Sequence, residues 1–432
     1  MLKDSLVIAL ARAFMAGEQT LEKVVLRGSW TLDRPWRGLH GLAERYLEAF
    51  AGRARPREKD VVQFLYKDSY FRQHGHRLRV DHWITGPQPM QPVAAAEAWD
   101  VRPIETAGDL AAWLQIDIGE LEWFADRKGL GYKKNRTPLR HYYYRPLVKR
   151  SGSFRLIEAP KTRLKQIQRR ILSEILDKIP AHPAAHGFVT SRSIRTFAAP
   201  HAGRRVVLRM DLKNFFPTFT PGRIQALFRT VGYPESVADL LAGICTNAAP
   251  RDAWHIPGFE GDPHELWEAS NLYSYPHLPQ GAPTSPAIAN ICSYRMDCRM
   301  AGLARRAGGV YTRYADDLAF SGDDIDWISP YVAAIVEDEG FTVNHRKTRI
   351  MRQGVRQRLA GIVVNQGMNI IRPDFDLLKA ILTNCVRSGP ESQNREGHAD
   401  FRAHLQGRVG FVEMIHAVKG ARLRAIFDRI AW

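Results

Sequence analysis

An α+β fold with a mainly helical N-terminal extension is the class that this 432-residue sequence predicts. Three observations predict it. Up to about residue 80, apolar side chains recur at helical spacing, as in Leu6, Leu10 and Phe14 and again in Leu39, Leu42, Tyr46 and Phe50. His141 to Ile157 has the aromatic and β-branched character of strands. Strands and helices then alternate to about Asn365, and Pro373 to Trp432 reads as helix again.

The elements come in order. Thr85 to Pro103 carries Pro89, Pro92, Pro103 and an alanine run, which is linker composition, so a boundary is expected near residue 105. The run from Asp109, DLAAWLQIDIGELEWFADRKG, predicts two short helices packed together. Between Arg145 and Arg170 there are nine Lys or Arg against one acid, Glu158. With Tyr142, Tyr143 and Tyr144 beside them, these are the residues that a groove tracking phosphates and stacking bases requires.

Composition narrows the function. A chain with 45% hydrophobic and 25% charged residues is ordinary globular protein. Lys and Arg number 62 against 45 Asp and Glu, a formal charge of +17, too basic for most enzymes of small metabolites and suited to a polyanionic partner. The four cysteines form no C-x-x-C pair and fit neither a zinc site nor a disulfide framework. Arg12 and Glu18 interrupt the only apolar N-terminal run, and no apolar stretch is long enough to span a bilayer. A soluble cytoplasmic protein without a membrane partner is expected.

Two places carry chemistry. Arg204 to Leu212, RRVVLRMDL, reads as a strand with Val206, Leu208 and Met210 on one face and Asp211 on the other. Val310 to Phe320, VYTRYADDLAF, is an apolar, aromatic, β-prone run interrupted by Asp316 and Asp317. Adjacent carboxylates repel and pay for desolvation, so they call for a cation. No His or Cys lies in the run, and hard oxygen donors favour Mg²⁺ over Zn²⁺. One carboxylate from a strand and two from a hairpin tip suit two metals about 3.5 to 4 Å apart, the arrangement for in-line phosphoryl transfer.

Asp211 in a strand, Leu278-Pro279-Gln280-Gly281-Ala282-Pro283-Thr284-Ser285-Pro286, and Tyr314-Ala315-Asp316-Asp317 occur in that order. This set resembles the palm motifs of reverse transcriptases. Arg155-Leu156-Ile157-Glu158-Ala159-Pro160, His186-Gly187-Phe188, Arg192-Ser193-Ile194 and Leu405 to Phe411 are similar to the retron type. The chain departs from that type at Phe197, where the pattern N-A-x-x-H has asparagine, and at Leu359-Ala360-Gly361, where it has V-T-G. The resemblance implies a right-hand polymerase fold, with residues 106–364 as fingers and palm and 365–432 as a helical thumb. Residues 1–105 form the extension, whose Trp30, Trp36, Arg34 and Arg37 read either as an RNA surface or as core and rim of a docking domain.

The resemblance also implies roles. Asp211, Asp316 and Asp317, with the peptide oxygen of Leu212, would bind two Mg²⁺, for which Mn²⁺ can substitute. Lys347 would protonate the pyrophosphate. Asn214, Phe215 and Phe216 would form the sugar pocket, with Phe216 excluding a ribose 2′-OH. Arg155, with Lys149 or Arg150, would hold the triphosphate of a dNTP, and Gln280 would open a helix that contacts the nucleotide. Arg163, Lys165, Arg169, Arg192, His201 and Arg408 are the expected RNA contacts.

The stretch after Gly361 is expected to form a thumb and no ribonuclease H or integrase domain. A retron enzyme implies a structured non-coding RNA as primer and template, an RNA–DNA hybrid product, a role in anti-phage defence and a separate toxic effector. A non-retron defence reverse transcriptase, an RNA-dependent RNA polymerase and a catalytically silent RNA-binding scaffold are the alternatives.

Overall fold

The computed structural model describes residues 2–51, 56–86, 88–133, 139–149, 154–254 and 262–432. The chain divides into two compact units, Met1–Pro180 with Phe219–Ile288, and Ala181–Thr218 with Ala289–Trp432.

In the first unit, helices Asp4–Met15, Leu21–Thr31, Leu39–Ala49 and Glu58–Lys67 turn their apolar faces onto one another. Their core includes Leu6, Leu10, Phe14, Leu42, Tyr46 and Phe71, and all its members lie between Leu2 and Val80. The two short helices expected after residue 109 are Ala107–Leu114 and Ile118–Ala125. Each begins with a capping box, Thr106 with Asp109 and Asp117 with Glu120, which satisfies amides that the first turn leaves open. Strands β1 (Tyr142–Val148) and β2 (Phe154–Pro160) form an antiparallel hairpin with Tyr144 opposite Glu158. The basic helix Thr162–Glu174 comes next, burying Leu164, Ile167 and Ile171.

The second unit is built on a four-stranded sheet. Its strands are β3 (Val206–Asp211), β4 (Val310–Tyr314), β5 (Asp317–Gly322) and β6 (Arg349–Arg352), in spatial order β4-β5-β3-β6, each antiparallel to its neighbours. Alternation along β3 buries Val206, Leu208 and Met210, and the other face is covered too, at Val207 and Asp211. The C-terminal helices Arg372–Ser388, Phe401–Ile415 and Ala417–Phe427 share a core with the sheet, through Leu378, Leu405, Val409 and Leu423 on one side and Val207 and Ala319 on the other, and Phe197 of the short helix Ile194–Ala198 joins it. Among the described residues no helix is long and apolar enough to cross a membrane. All four cysteines are free thiols.

Candidate active site

The sheet register puts the acids together. Asp211 ends β3, Asp317 begins β5, and the two are directly opposite in the antiparallel ladder. Asp316 occupies the turn between β4 and β5, and its carbonyl accepts the Leu212 amide at 2.9 Å. The turn is tight enough to hold Ala315 in the left-handed region, at φ 54°.

Each carboxylate has a different environment. The Arg209 guanidinium forks onto Asp317, with Nε and Nη2 at 3.0 and 2.7 Å from Oδ1. Lys347 Nζ lies 3.0 Å from Asp211 Oδ1, and Asn344 Nδ2 donates to the same oxygen at 2.9 Å. Burial, reinforced by the charges of Asp211 and Asp317, pushes Asp316 up to about 6. Burial also raises Asp317, opposed by Arg209. Among the described residues no three acidic, imidazole or thiol groups already converge on one metal position. The cations on Asp211 and Asp317 fit that geometry. Three carboxylates here face two cations, Lys347 and Arg209, and offer oxygen donors alone, a set that suits a hard divalent cation.

Leu212 pairs with Val343 in an isolated bridge beside the acids. Past it, Asn214 takes a left-handed conformation, at φ 52°, and its carbonyl accepts from Thr218. Phe215 is buried and stacks on Phe341 at 5.7 Å, while Phe216 is half-buried at the start of a short 3₁₀ turn. The second unit therefore gathers Asp211, Leu212, Asn214, Phe215, Phe216, Asp316, Asp317 and Lys347 around one end of its sheet.

Arg155, Lys149 and Gln280 belong to the first unit. Arg155 is half-buried on β2 opposite Leu147, and Lys149 comes directly after β1. Arg150 lies outside the described residues. The segment at Gln280 differs from expectation: the helix starts at Ser285, and Gln280 to Thr284 is a turn. The Gln280 carbonyl accepts the Glu158 amide at 2.9 Å, and a Cβ on Gly281 would stand 2.8 Å from the Glu158 carbonyl. With φ at 137°, Gly281 is there because no side chain fits.

Among the expected RNA contacts, Arg163, Lys165 and Arg169 are exposed on the helix Thr162–Glu174, with Arg163 donating to the Gln115 carbonyl at 3.0 Å. Arg408 is half-buried on the helix Phe401–Ile415. Arg192 donates to the carbonyls of Pro183 and Ala185. His201 is a correction: it is fully buried, with both ring nitrogens 2.7 Å from hydroxyls, those of Ser321 and Thr312, so no edge is left for a nucleotide. Phe197, at the departure from the retron pattern, is likewise fully buried. Of the three adjacent tyrosines, Tyr142 is buried against Gln168 and Tyr144 hydrogen-bonds Asn247, so Tyr143, 65% exposed, is the one available for stacking.

Three residues at the acids escape the sequence reading: Arg209, Asn344 and Arg313. Arg209 is within its reach, because the two-residue period that puts Asp211 opposite Met210's face puts Arg209 beside it. The partners of Asn344 and Arg313 depend on pairings that a linear pattern does not show.

Comparison with known proteins agrees with the motifs. Residues 147–368 match the reverse transcriptase (RNA-dependent DNA polymerase) family. The chain is 42% identical over 325 residues to the Retron Mx65 reverse transcriptase of Myxococcus xanthus, covering 74% of this chain and 70% of that protein. It is 36% identical to the Retron Mx162 reverse transcriptase of the same organism, covering 75% and 67%, and 32% identical to the Retron Ec86 reverse transcriptase of Escherichia coli, covering 64% and 76%. Relatedness that runs along most of the chain, with a family match that spans all three motifs, leaves one conclusion: the chain belongs to the bacterial retron-type reverse transcriptases, RNA-directed DNA polymerases with a right-hand α+β fold.

Proposed function

We propose that this polymerase copies a cognate structured non-coding RNA, which also primes the reaction, into single-stranded DNA by two-metal phosphoryl transfer in the cytoplasm. The observation that supports the mechanism is the gathering of Asp211 and Asp317, opposite each other at strand ends, with Asp316 in the adjoining turn. These carboxylates, with the Leu212 carbonyl, would hold two divalent cations, Mg²⁺ or Mn²⁺. The chemistry such cations would supply there is a lowered pKa for the attacking hydroxyl and an offset to charge on the phosphates. Lys347 delivers a proton to the departing pyrophosphate. Phe216, with Asn214 and Phe215, shapes the sugar pocket and excludes a ribose 2′-OH, which makes dNTPs the substrates. Arg155 and Lys149 hold the triphosphate, since a guanidinium fork matches phosphate oxygens, and Gln280 contacts the nucleotide. Arg163, Lys165, Arg169, Arg192 and Arg408 contact RNA.

In this reading residues 106–364 serve as fingers and palm, 365–432 as thumb, and 1–105 as an extension. As part of the same proposal, the product is an RNA–DNA hybrid and the enzyme serves in anti-phage defence beside a separate toxic effector. The test is to express the protein with its native flanking DNA and look for ribonuclease-resistant short DNA, with Asp316→Ala plus Asp317→Ala as control. A discrete DNA joined to RNA through a 2′ linkage, and lost in the control, is expected. Primer extension by the purified enzyme without any such species in cells would remove the structured-RNA template from the proposal. No extension at all would favour a silent RNA-binding scaffold.

A further inference from the structure

We infer that Arg313 is a positioning residue for Asp316, acting through the backbone of the turn that carries it. Arg313 lies on β4, three residues before Asp316, and is fully buried. Its fork closes on Asp297, also fully buried, with Nε to Oδ1 at 2.8 Å and Nη2 to Oδ2 at 2.6 Å, and Tyr311 donates to the same carboxylate at 2.7 Å. The remaining nitrogen, Nη1, donates to Asn290 Oδ1 at 2.9 Å and to the Ala315 carbonyl at 3.2 Å. A buried ion pair does not by itself stabilise more than apolar packing of equal volume, so stability alone is a poor account of it. The hydrogen bond to Ala315 supplies a better one. Ala315 has a positive φ, which a non-glycine residue keeps only where its surroundings over-determine it.

A second segment also packs on this turn. The Arg313 amide donates to the Ala184 carbonyl and the His186 amide to the Arg313 carbonyl, both at 2.7 Å, so this segment runs beside β4. That alignment brings Gly187 against the turn, where a Cβ would stand 2.7 Å from the Ala315 nitrogen and 3.2 Å from the Tyr314 carbonyl carbon. Asn290 Nδ2 holds the Gly187 carbonyl at 2.8 Å. Asn290 thus joins the two segments, accepting from Arg313 and donating to Gly187. Ala315, the residue directly before Asp316, is thus held at its carbonyl by Arg313 and packed at its nitrogen by Gly187.

The inference rests on the reading of Asp316 as a catalytic carboxylate, and the experiment separates the two. Full-length Arg313→Lys, Gly187→Ala and Asp316→Ala are assayed on an RNA template with an annealed DNA primer, and Mn²⁺ binding to each is measured by electron paramagnetic resonance. Circular dichroism checks folding. For folded Arg313→Lys, kcat falls about 10- to 100-fold and Mn²⁺ affinity weakens severalfold, while KM for dNTP stays within about twofold, because a misplaced carboxylate impairs chemistry before nucleotide binding. Gly187→Ala leaves the Arg313–Asp297 pair intact and gives the same pattern, which keeps the test decisive if Arg313→Lys does not fold. Wild-type kcat and Mn²⁺ affinity in a folded variant of either kind overturn the inference. Full activity in Asp316→Ala overturns the underlying reading instead.

Discussion

At Asp316, burial and two neighbouring carboxylates act in one direction, and the value of about 6 that results has a consequence for cation binding. Above it the group is a carboxylate ready to ligate, and below it the group holds a proton that a cation must displace. Divalent-cation affinity therefore falls as pH drops through about 6. Mn²⁺ titrations at about pH 8 and about pH 5 read this directly, with a loss of up to about tenfold per pH unit for one coupled proton. Affinity that does not change across that range removes Asp316 from the ligand set. Phe216 is open to a test of a different kind. If Phe216 has the proposed role, Phe216→Ala raises incorporation of ribonucleotides relative to deoxyribonucleotides by at least about tenfold, since the wall that excludes one hydroxyl is then gone. An unchanged ratio in competition assays places the discrimination elsewhere.

At the scale of elements, β3 and the β4–β5 hairpin are legible in the sequence because each is an apolar run broken by an acid that has no place in a strand. The pairing between them is not legible, since Asp211 and Asp317 meet only through the sheet order. His201 shows the same limit. Its bonds reach residues 111 and 120 positions away, and without them a histidine in a basic region reads as an RNA contact. The turn at Gln280 departs from the expected helix for a local reason, because Gly281 at positive φ and the prolines around it delay the helix to Ser285. Buried His201 and half-buried His186 give a stability prediction. Burial lowers His201 to about 3 and His186 to about 4, so both are neutral in the native state. In the unfolded chain they titrate near their ordinary value of about 6.5. The stabilisation from excluding these protons is complete above about 6.5 and is lost as pH falls toward the native values. Each site contributes a slope of at most about 1.4 kcal/mol per pH unit. Urea midpoints measured between about pH 7 and about pH 5 should fall, and His201→Gln should flatten the fall. Identical slopes in wild type and variant would show that His201 takes its proton in the native state.

For the molecule as a whole, the charge of +17 is readable from composition and predicts salt-sensitive binding of the nucleic-acid partner. Each phosphate contact contributes a slope of roughly 0.7 to 0.9 in log affinity against log salt. Replacing exposed Arg163, Lys165 and Arg169 by glutamate should lower that slope by about two to three, measured on single-stranded RNA. A slope that does not change assigns the basic face of this helix to solvent. The division into two compact units is not readable, because each unit is assembled from two separate stretches of sequence. The helical core between Leu2 and Val80 is the exception, complete within one stretch. On a translating ribosome that core can close before the ribosome has made β1, and chains fold domain by domain in the order of their synthesis. The strand ends that carry the acids come together only after Asp317 has emerged. The leading helices are thus a finished body through the whole time in which the sheet behind them is still waiting for its partners.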